Sequence, residues 1–598
     1  MPGLTLVSSP PGYTPSSLLR EARTPPFPDR QTSAQLWSSA SLDVVATTDP
    51  GYPLTTIETD EYWICREGGL YGLSAAAERR RLLEWAEALL GGPSRSMPRS
   101  HLRTDGDFVV VLLRKETGTW AVLPDRMGRL PLYLHDGDRH VCLTRRFHLF
   151  NRLPAPPAPD RIGTAQQLTF GYPLGRRTLR RGVDRLPPGT VLLAGATIGT
   201  VREHRVATHD FEAPRQHADR SIDENAAQLV ERLDRDAAAR AEWSRGPSVL
   251  ALSGGLDSRS IACSLRRTGC PVEAMTFARP AGANAADVRY ARAIAEQFAL
   301  NQEVVSLPAL SEEHLASVLT ATGGDTFTVS YMIPFLEALL SEYGDTAHLI
   351  TGNGGALLRD LQPPHPLSSL SSLSTTDDLL HTLLYDVSRS WLPPETAASV
   401  AAVSQDDLIG SVRARLAEYP EASLRGKYLH FAFERLFTYS FAGEDRNRAY
   451  VWSSAPYHGL HFTAYALQCP YEQKEQYRLY RSFLQALSPN TLKIGYSNFA
   501  GFQMTAVQYN VYRLLRWGVR QFPSLRRWLK KGDYADSPES LSSRLLRDHL
   551  ASTECPAISR EAVSLLLGSP ERRSERTLEH ILTIVRALCP RPSSSGPR

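Results

Sequence analysis

Two glycines stand between a predicted strand and a predicted helix near the middle of the chain. The run 247–251 is largely apolar and is typical of a buried strand, whereas 262–267 favours a helix. Gly254 and Gly255 carry no Cβ, so the backbone there can approach a ligand closely and several N–H groups can converge. A helix N-terminus also favours negative charge. The spacing therefore predicts a site for a phosphate-like anion.

Hydroxyl and carboxylate side chains flank these glycines. Ser253 and Ser258 add hydroxyl donors, and Asp257 can hold a magnesium ion that bridges phosphate oxygens. The complete Ser-Gly-Gly-x-Asp-Ser pattern is neither the Walker pattern nor the dinucleotide fingerprint, because both need other glycine spacings. It resembles the PP-loop, which in ATP pyrophosphatases grips the outer phosphates of ATP. This resemblance implies ATP and Mg²⁺ as cofactors, with Asp257 as metal ligand and nucleotide contacts from Leu252, Ser253, Gly254, Gly255, Asp257 and Ser258.

Length, charge and cysteine content narrow the class of protein. A chain of 598 residues is long enough for at least two domains. Its formal net charge of +4 is small for this size and gives no argument for a nucleic-acid partner. The seven cysteines are scattered without a C-x-x-C pair, which argues against a zinc site and against a disulfide framework. The N-terminus lacks signal-peptide features and no segment is apolar enough to span a membrane, so we expect a cytoplasmic protein.

The elements that must position the glycine motif divide the chain into unequal parts. Short strand-like runs with one amphipathic helix at about 75–90 favour an antiparallel sheet layered with helix. Strands that alternate with helices follow, which implies a parallel sheet with ligands at the strand C-termini. The predicted fold class is α/β, with an α+β N-terminal domain. The expected segments are a loose lead-in at 1–40, the antiparallel domain at 41–205, a linker at 206–223, the ATP-binding domain at 224–589 and a disordered tail at 590–598.

The order of these motifs resembles that of the asparagine synthetase family over most of the chain. The runs 106–108, 125–133 and 186–189 follow the pattern of its class II glutamine-amidotransferase domain. Glutaminases of this kind use an N-terminal cysteine as nucleophile. Here Pro2 stands second and the first cysteine is Cys65. The resemblance therefore implies a degenerate amidotransferase-like domain that does not hydrolyse glutamine.

The same resemblance implies further contacts to ATP. The second strand of the parallel sheet ends where the family cradles adenine and ribose, and a Thr-Gly-Asn-Gly-Gly loop takes the place of the family's Ser-Gly-x-Gly-Ser-Asp-Glu. Asp287, at a predicted helix start, is open to two interpretations, a plain helix cap or a site residue. The expected further nucleotide contacts are Met275, Thr276, Phe277, Thr351 and Gly352.

The Thr-Gly-Asn-Gly-Gly loop departs from the family in its acidic residues. The position expected to hold a second magnesium-binding aspartate is Ala356, and the glutamate position after it is Leu357. The next acid is Asp360, which leaves the second metal ligand open. Asn353 stands where asparagine synthetases have Glu and β-lactam synthetases have Tyr, which argues against both of those activities.

Three residues resemble parts of the family's acyl-transfer site and are the catalytic candidates. Glu444 and Asp445 lie near the expected acceptor site, where an acidic group could deprotonate an attacking ammonium. An exposed charge cluster or an Asp–Arg ion pair is the structural alternative for both. Lys493 lies close to the expected catalytic-lysine loop, where it would stabilise pyrophosphate or the tetrahedral intermediate. A solvated loop lysine is the alternative there.

The absence of a nucleophilic terminal thiol determines which family activity the resemblance implies. Without internal ammonia, the attacking amine has to belong to the substrate. The chain is most similar to lasso-peptide cyclases, the macrolactam synthetases, which implies a leader-cleaved core peptide as substrate and a leader peptidase and a leader-binding protein as partners. The alternatives are a small-molecule synthetase of the β-lactam kind, and a non-catalytic subunit that binds ATP or peptide in a modification complex.

Overall fold

Two antiparallel sheets form the N-terminal part of the protein. The computed structural model describes residues 2–10, 12–92, 97–195, 201–206, 211–212, 216–359, 373–387, 391–495, 511, 514, 540–568 and 574–589. The first sheet contains β1 (Gly3–Ser8), β2 (Thr32–Ser38), β3 (Leu42–Thr48), β8 (Tyr133–Gly137), β9 (His140–Thr144) and β10 (Val183–Arg185), in the order β10-β8-β9-β1-β3-β2. The second contains β4 (Leu54–Glu58), β5 (Tyr62–Leu70), β6 (Gly106–Arg114), β7 (Trp120–Pro124), β11 (Thr190–Ala194) and β12 (Arg202–Arg205), in the order β12-β11-β7-β6-β5-β4.

The two sheets share one apolar core. Leu4 and Leu6 of β1 pack in the same cluster as Val109 and Val111 of β6, and all four are buried. Successive side chains of a strand point to opposite faces, so alternate residues of each sheet fill this layer. Val110 and Leu112 face the other way, toward a helix that covers the second sheet.

The first strand corrects the expectation of a loose lead-in at 1–40. β1 lies between β3 and β9 in the middle of its sheet, and all six of its residues are buried. The nearby Pro, Ser and Thr residues are typical of a loop. The strand was not predicted because its partners, at 42–48 and 140–144, lie far away in sequence. A short helix, α1 (Ser16–Ala22), and β2 occupy the rest of the segment.

Four further helices accompany the antiparallel sheets. The helix expected at about 75–90 is present as α2, and it begins after Ser74, whose side chain accepts from the Ala77 N–H at 3.3 Å. Its buried face, including Trp85, covers the second sheet. These helices are α2 (Ala75–Leu90), α3 (Arg99–Arg103), α4 (His148–Asn151) and α5 (Arg161–Phe170).

A parallel sheet follows, and the fold is α/β as predicted. Its strands are β13 (Ser248–Ala251), β14 (Glu273–Ala278), β15 (Gln302–Ser306), β16 (His348–Ile350) and β17 (Trp452–Ser454), in the order β15-β14-β13-β16-β17. Every neighbouring pair is parallel. β13 is central, so the glycine motif leaves the sheet at its middle, where a parallel sheet binds ligands.

Helices cover this sheet and continue the chain. Those before residue 400 are α6 (Ile222–Trp243), α7 (Leu256–Thr268), α8 (Ala285–Gln297), α9 (Glu312–Thr322), α10 (Met332–Tyr343), α11 (Thr376–His381) and α12 (Pro394–Val400). Those that follow are α13 (Gln405–Ala417), α14 (Leu424–Arg448), α15 (Leu460–Gln468), α16 (Tyr471–Lys474), α17 (Arg478–Leu487), α18 (Leu541–Ser552), α19 (Arg560–Leu567) and α20 (Glu575–Leu588). None of the described helices is both long and apolar enough to cross a membrane.

The last helices return to the N-terminal part. Leu546 of α18 and Ile581 of α20 belong to the same buried cluster as Val7 of β1. Cys555 and Cys589 form a disulfide in this region, a single pairing that the scattered cysteines did not indicate. They lie 34 residues apart, and only the packing of α18, α19 and α20 brings them together. The expected tail at 590–598 lies outside the described residues.

Candidate active site

The loop between β13 and α7 is held by its own polar groups. The Ser253 N–H donates to Ser258 Oγ at 3.0 Å, and the Gly255 N–H donates to Ser253 Oγ at 3.2 Å. The two hydroxyl oxygens lie 2.9 Å apart. Because α7 begins at Leu256, these donors stand at the N-terminus of a helix whose dipole favours an anion. This arrangement suits a phosphate group, and the phosphate site stays a prediction.

A neighbouring strand fixes the base of this loop. The Leu252 N–H donates to the Met275 carbonyl at 3.0 Å, and Thr276 Oγ1 donates to the Leu252 carbonyl at 2.7 Å. Met275 and Thr276 are both buried, so their side chains support the loop and are not open to a ligand. Phe277 is only half-buried, and its ring lies 5.7 Å from that of Tyr331. Phe277 is thus the expected adenine contact whose side chain is accessible.

The 351–355 loop after β16 packs directly on the glycine motif. A Cβ added to Gly352 would lie 2.6 Å from the Ser258 nitrogen, and one added to Gly355 would lie 2.3 Å from Asp257 Oδ1. Backbone atoms leave no room for a side chain at Gly352, whereas at Gly355 the Asp257 side chain would have to move. The two loops therefore approach each other at backbone distance, with the Asp257 carboxylate between them.

Two side chains donate to Asp257. Tyr480 Oη donates to Oδ1, and the Arg359 guanidinium donates to Oδ2. Burial, together with the Asp257 charge, raises the pKa of Tyr480 well above its usual value, so this phenol stays a donor. Asp257 itself is about a quarter exposed, so its carboxylate remains open to one side.

The site fits one magnesium ion better than two. Mg²⁺ at nucleotide sites is usually held by one or two carboxylates together with substrate phosphates. Asp257 meets that requirement, and Asp287 lies beside the loop, where its Oδ1 accepts from the Gly254 N–H at 3.0 Å. At the position expected for a second metal ligand stands Ala356, followed by the buried Leu357, and neither can bind a metal. Asp360 lies outside the described residues.

Another group of potential metal ligands lies away from this loop. Asp105, Asp236 and His461 each offer an atom within 4.8 Å of the others. Arg240 Nη1 donates to Asp105 Oδ2 at 2.9 Å, and Arg129 Nη2 lies 3.1 Å from Asp105 Oδ1. The two guanidinium groups already balance the charge of Asp105. The three residues therefore belong to a buried ion-pair network.

Glu444 lies beneath the 351–355 loop. Its Oε1 accepts from Thr351 Oγ1 and from Asn353 Nδ2, both at 2.5 Å, and its Oε2 accepts from Ser453 Oγ. The residue is buried, whereas Asn353 is exposed. With donors on both oxygens, the Glu444 carboxylate fixes the loop and is poorly placed to accept a substrate proton.

Asp445 of α14 is part of an ion pair that joins this helix to the first antiparallel sheet. Arg145, which follows β9, donates through Nη2 to Asp445 Oδ1 at 2.7 Å and through Nη1 to Oδ2 at 3.2 Å. Arg448 Nη1 donates to the same Oδ1 at 3.2 Å. The prediction of Asp445 as a catalytic group is corrected here, because its buried carboxylate is saturated and lies in the interface. The structural alternative, an Asp–Arg ion pair, is the one the structure contains.

Arg259, the residue after the glycine motif, links the segment that carries Lys493 to this motif. The buried Arg259 of α7 donates to the carbonyls of Thr491 and Gly495, at 2.6 and 2.8 Å, and to that of Gly254 at 3.1 Å. The short 3₁₀ helix Pro489–Lys493 is therefore anchored to the loop, and Lys493 is exposed at its end. A lysine so placed can interact with a negatively charged intermediate.

The cysteines of the two antiparallel sheets are poor nucleophiles. Cys65 and Cys142 are fully buried, and burial raises the pKa of Cys142 to about 12 and that of Cys65 further. The thiolate is the reactive form, so neither residue supplies one near neutral pH. Among the described residues of these sheets there is no accessible thiol for glutamine hydrolysis.

Sequence reasoning missed Arg359, Tyr480, Arg259 and Arg145. Arg259 directly follows the glycine motif, and an arginine on the buried side of a helix start is a signal that it binds carbonyls. Arg145 and Tyr480 gave no local signal, since their partners lie 300 and 223 residues away.

The similarity of this chain to solved structures is weak. No curated protein matches the chain. Similar solved structures include the glutamine phosphoribosylpyrophosphate amidotransferase from B. subtilis complexed with ADP and GMP, with 12% identity over 65% of this chain and 93% of that chain and a TM-score of 0.22. The NMN synthetase from Francisella tularensis has 14% identity over 38% of this chain and 97% of that chain, with a TM-score of 0.18.

The sequence model of the asparagine synthase family matches residues 228–490. This range begins in α6 and ends after Pro489, so it includes the glycine motif, the 351–355 loop and Glu444. Enzymes of this family use ATP. Residues 228–490 therefore match the asparagine synthase family, and this match supports an ATP-dependent amide-forming ligase.

Proposed function

We propose that this ligase closes a macrolactam ring in a ribosomally made peptide. The side-chain carboxylate of an Asp or Glu attacks the α-phosphate of ATP, which forms an acyl-adenylate and releases pyrophosphate. The N-terminal amine of the same peptide then attacks the acyl carbon, loses a proton and displaces AMP. The product is an isopeptide bond within one molecule. A leader peptidase and a leader-binding protein would prepare the core peptide.

The observation that carries this proposal is the absence of a reactive thiol among the described residues of the antiparallel sheets. A glutamine-dependent synthetase needs a reactive thiol, and the described cysteines there, Cys65 and Cys142, are buried with raised pKa values. The interface toward the synthase domain is filled by ion pairs, among them Arg145 with Asp445 and Arg448 with Asp107, the latter at 3.0 Å. Both features favour an amine that arrives with the substrate.

The residues around the 252–258 loop would act in two different steps, adenylation and acyl transfer. The donors at 253–258 would grip the outer phosphates and leave the α-phosphate open to the carboxylate, with Asp257 on the magnesium ion. When bound, magnesium would neutralise phosphate charge. Lys493 would stabilise negative charge at acyl transfer. Glu444 acts in this proposal as a positioning residue, since it holds Asn353 at the exposed rim.

The fold must also hold the amine near the activated carbonyl. An intramolecular reaction gains most from such positioning, because effective molarity replaces a second binding event. The exposed Asn353 lies on a loop that packs on Asp257 and Ser258, and Arg259 holds the segment that carries the exposed Lys493, so the two sides of a peptide could be held there.

Two other functions compete with this one. A small-molecule synthetase of the β-lactam kind would use the same two steps on a smaller substrate. A non-catalytic subunit is favoured by the missing acids at Ala356 and Leu357, but the intact set of Ser253, Asp257 and Ser258 is unnecessary for a protein that only binds peptide.

Pyrophosphate release separates these possibilities. The full chain is incubated with ATP, Mg²⁺ and the core peptide of a precursor encoded beside its gene, and with the same peptide acetylated at its N-terminus. We expect pyrophosphate from both peptides and a cyclic product only from the free amine. Asparagine formed from aspartate and glutamine by this chain would overturn the proposal, as would cyclisation of the acetylated peptide.

A further inference from the structure

A cavity of about 410 Å³ lies between residues of α2, α3 and α6. Its volume is within the range of sites that bind small molecules. Four arginines line it: Arg81 of α2, Arg99 and Arg103 of α3, and Arg235 of α6. We call it the arginine cavity. Its described lining residues include none from the glycine motif or from the 351–355 loop, so it is a separate place in the fold.

Three of the four arginines have no acid that balances their charge in the described part of the chain. Arg81 Nε lies 3.5 Å from the Glu84 carboxylate. Arg99, Arg103 and Arg235 are exposed, and no ion pair joins them to a described carboxylate. Like charges gathered at one cavity repel one another, and an anion bound among them would remove that repulsion.

Two carboxylates that line the same cavity already have partners. Asp105 Oδ2 accepts from Arg240 Nη1, and Asp105 Oδ1 accepts from the Leu460 N–H, both at 2.9 Å. Asp236 Oδ2 accepts from the Phe462 N–H at 2.9 Å. Both acids are buried, whereas three of the arginines are exposed. The accessible wall of the cavity therefore keeps the positive charge of its arginines.

We propose that the arginine cavity binds a small molecule that carries two or more linked phosphate groups. A guanidinium is charged at every working pH and presents paired N–H donors that match phosphate oxygens. Because the arginines belong to three helices, one compact ligand with several negative charges can contact more than one of them. An extended acidic peptide would gain less, since the cavity admits only a few of its side chains. Failure of this proposal would leave the proposed function untouched, because neither peptide nor turnover is involved.

Calorimetry on the full chain tests this inference in EDTA, without peptide or Mg²⁺. The probe is inorganic pyrophosphate, titrated into the wild type, Arg99→Gln, Arg103→Gln and Arg235→Gln. Arg266→Gln is the matched control, because Arg266 is also an exposed arginine and lies in the last turn of α7. Thermal melting shows that each variant is folded. Hydrogen–deuterium exchange with and without pyrophosphate locates the binding on the chain.

The expected result is a loss of affinity that follows the charge of the cavity. Each cavity variant should weaken pyrophosphate binding about tenfold, since one charge-assisted contact is removed. Arg103→Gln combined with Arg235→Gln should weaken it about a hundredfold, whereas Arg266→Gln should bind as the wild type does. Pyrophosphate should slow amide exchange in α3 of the wild type and should not do so in the double variant.

The glycine motif can bind the same probe, so a variant with both Ser253→Ala and Ser258→Ala forms a separate arm. This variant should keep the binding that depends on the cavity arginines. Loss of all pyrophosphate binding in it, with wild-type affinity in the cavity variants, would overturn the inference. An octaglutamate peptide that binds the cavity more tightly than pyrophosphate would also overturn it.

ADP in place of pyrophosphate distinguishes two sources of the same chemistry. Tighter binding of ADP that depends on the cavity arginines would assign the site to a nucleoside diphosphate. Tighter binding of pyrophosphate would assign it to the inorganic anion. Equal affinity of both probes for the wild type and for the cavity variants would contradict a phosphate site in this cavity.

Discussion

Arg145 and Asp445 join the antiparallel sheets to the synthase domain through a buried, two-pronged ion pair. Both N–H···O distances, 2.7 and 3.2 Å, are those of hydrogen bonds, although the residues lie 300 positions apart. Glu444, the next residue, holds the loop that packs on the glycine motif. The N-terminal sheets thus support the site even though their described cysteines are not reactive.

The ion pair between Arg145 and Asp445 predicts that loss of Arg145 strongly destabilises the folded protein. Arg145→Ala should lower the free energy of unfolding by about 3 to 5 kcal/mol, because the buried Asp445 and Glu67 would both lose the guanidinium that balances their charge, and only Asp445 would keep another, that of Arg448. Urea denaturation followed by tryptophan fluorescence measures it. Lys115→Ala is the matched control, since its 2.5 Å pair with Glu58 lies at the surface and should contribute less than about 1 kcal/mol. Similar small losses in both variants would refute the account of the interface.

Asp257 should be necessary for turnover and unimportant for folding. Asp257→Asn removes the charge that holds magnesium but keeps the shape of the side chain, so pyrophosphate release should fall roughly a hundredfold or more. The melting temperature should change by less than about 2 °C, because the side chain is partly exposed. Asp234→Asn, which alters a carboxylate paired with Arg267 at the other end of α7, is the control. Normal turnover of Asp257→Asn would show that the glycine motif has been misassigned.

Lys493 should act after ATP has bound. Lys493→Ala is expected to slow product formation by roughly a hundredfold while ATP affinity stays within about threefold, since the residue is exposed and stabilises a later charge. Arg481→Ala removes an exposed charge on nearby α17 and should leave both quantities unchanged. An equal loss of ATP affinity and rate in Lys493→Ala would place this lysine at the nucleotide instead.

Arg259 and Lys493 should show coupled effects. Arg259→Lys keeps a positive charge but cannot reach all of the carbonyls that the guanidinium binds, so the loop that carries Lys493 would move. In a double-mutant cycle, the rate loss of Arg259→Lys with Lys493→Ala should be smaller than the sum of the single losses. Full additivity would mean that the arginine does not position the lysine.

The buried Asp125 predicts a component of stability that depends on pH. Its oxygens accept from the N–H groups of Met127 and Arg129, both at 2.9 Å, and burial raises its pKa to about 6 although Arg129 opposes this shift. The folded state then binds the proton more tightly than the unfolded state, whose pKa is about 3.9. This contribution is complete below about pH 4 and is lost as the pH rises through 6. Asp125→Asn should remove it, so unfolding free energies measured from pH 4 to 8 should differ from the wild type in slope; parallel curves would contradict the assignment.

Local patterns in the sequence were enough for the parallel sheet and the glycine motif. The predicted strand at 247–251 is β13 (Ser248–Ala251), the helix follows directly, and the helix at about 75–90 is also present. Each of these elements is indicated by the periodicity of a short segment or by glycine at a helix start. Such signals depend only on residues that are close in sequence. The α/β class followed from the alternation of such segments.

Features that depend on distant partners were not predictable in this way. β1 looked like a loose segment because its neighbours in the sheet are remote in sequence. The role of Asp445 depends on Arg145, and that of Asp257 on Tyr480 and Arg359, which arrive from separate parts of the chain. Tertiary packing decides such contacts, and a single sequence carries no record of them.

The most direct test of the central claim follows one oxygen atom. A core peptide labelled with oxygen-18 in the side-chain carboxylate of its acceptor Asp or Glu is incubated with the full chain, ATP and Mg²⁺, and mass spectrometry is applied to the peptide and to the nucleotide. If the carboxylate attacks the α-phosphate and the N-terminal amine then displaces AMP, the peptide loses one water and the AMP carries one labelled oxygen. Cyclised peptide accompanied by ADP and labelled inorganic phosphate would contradict the account, because the activated species would then be an acyl phosphate and not an adenylate.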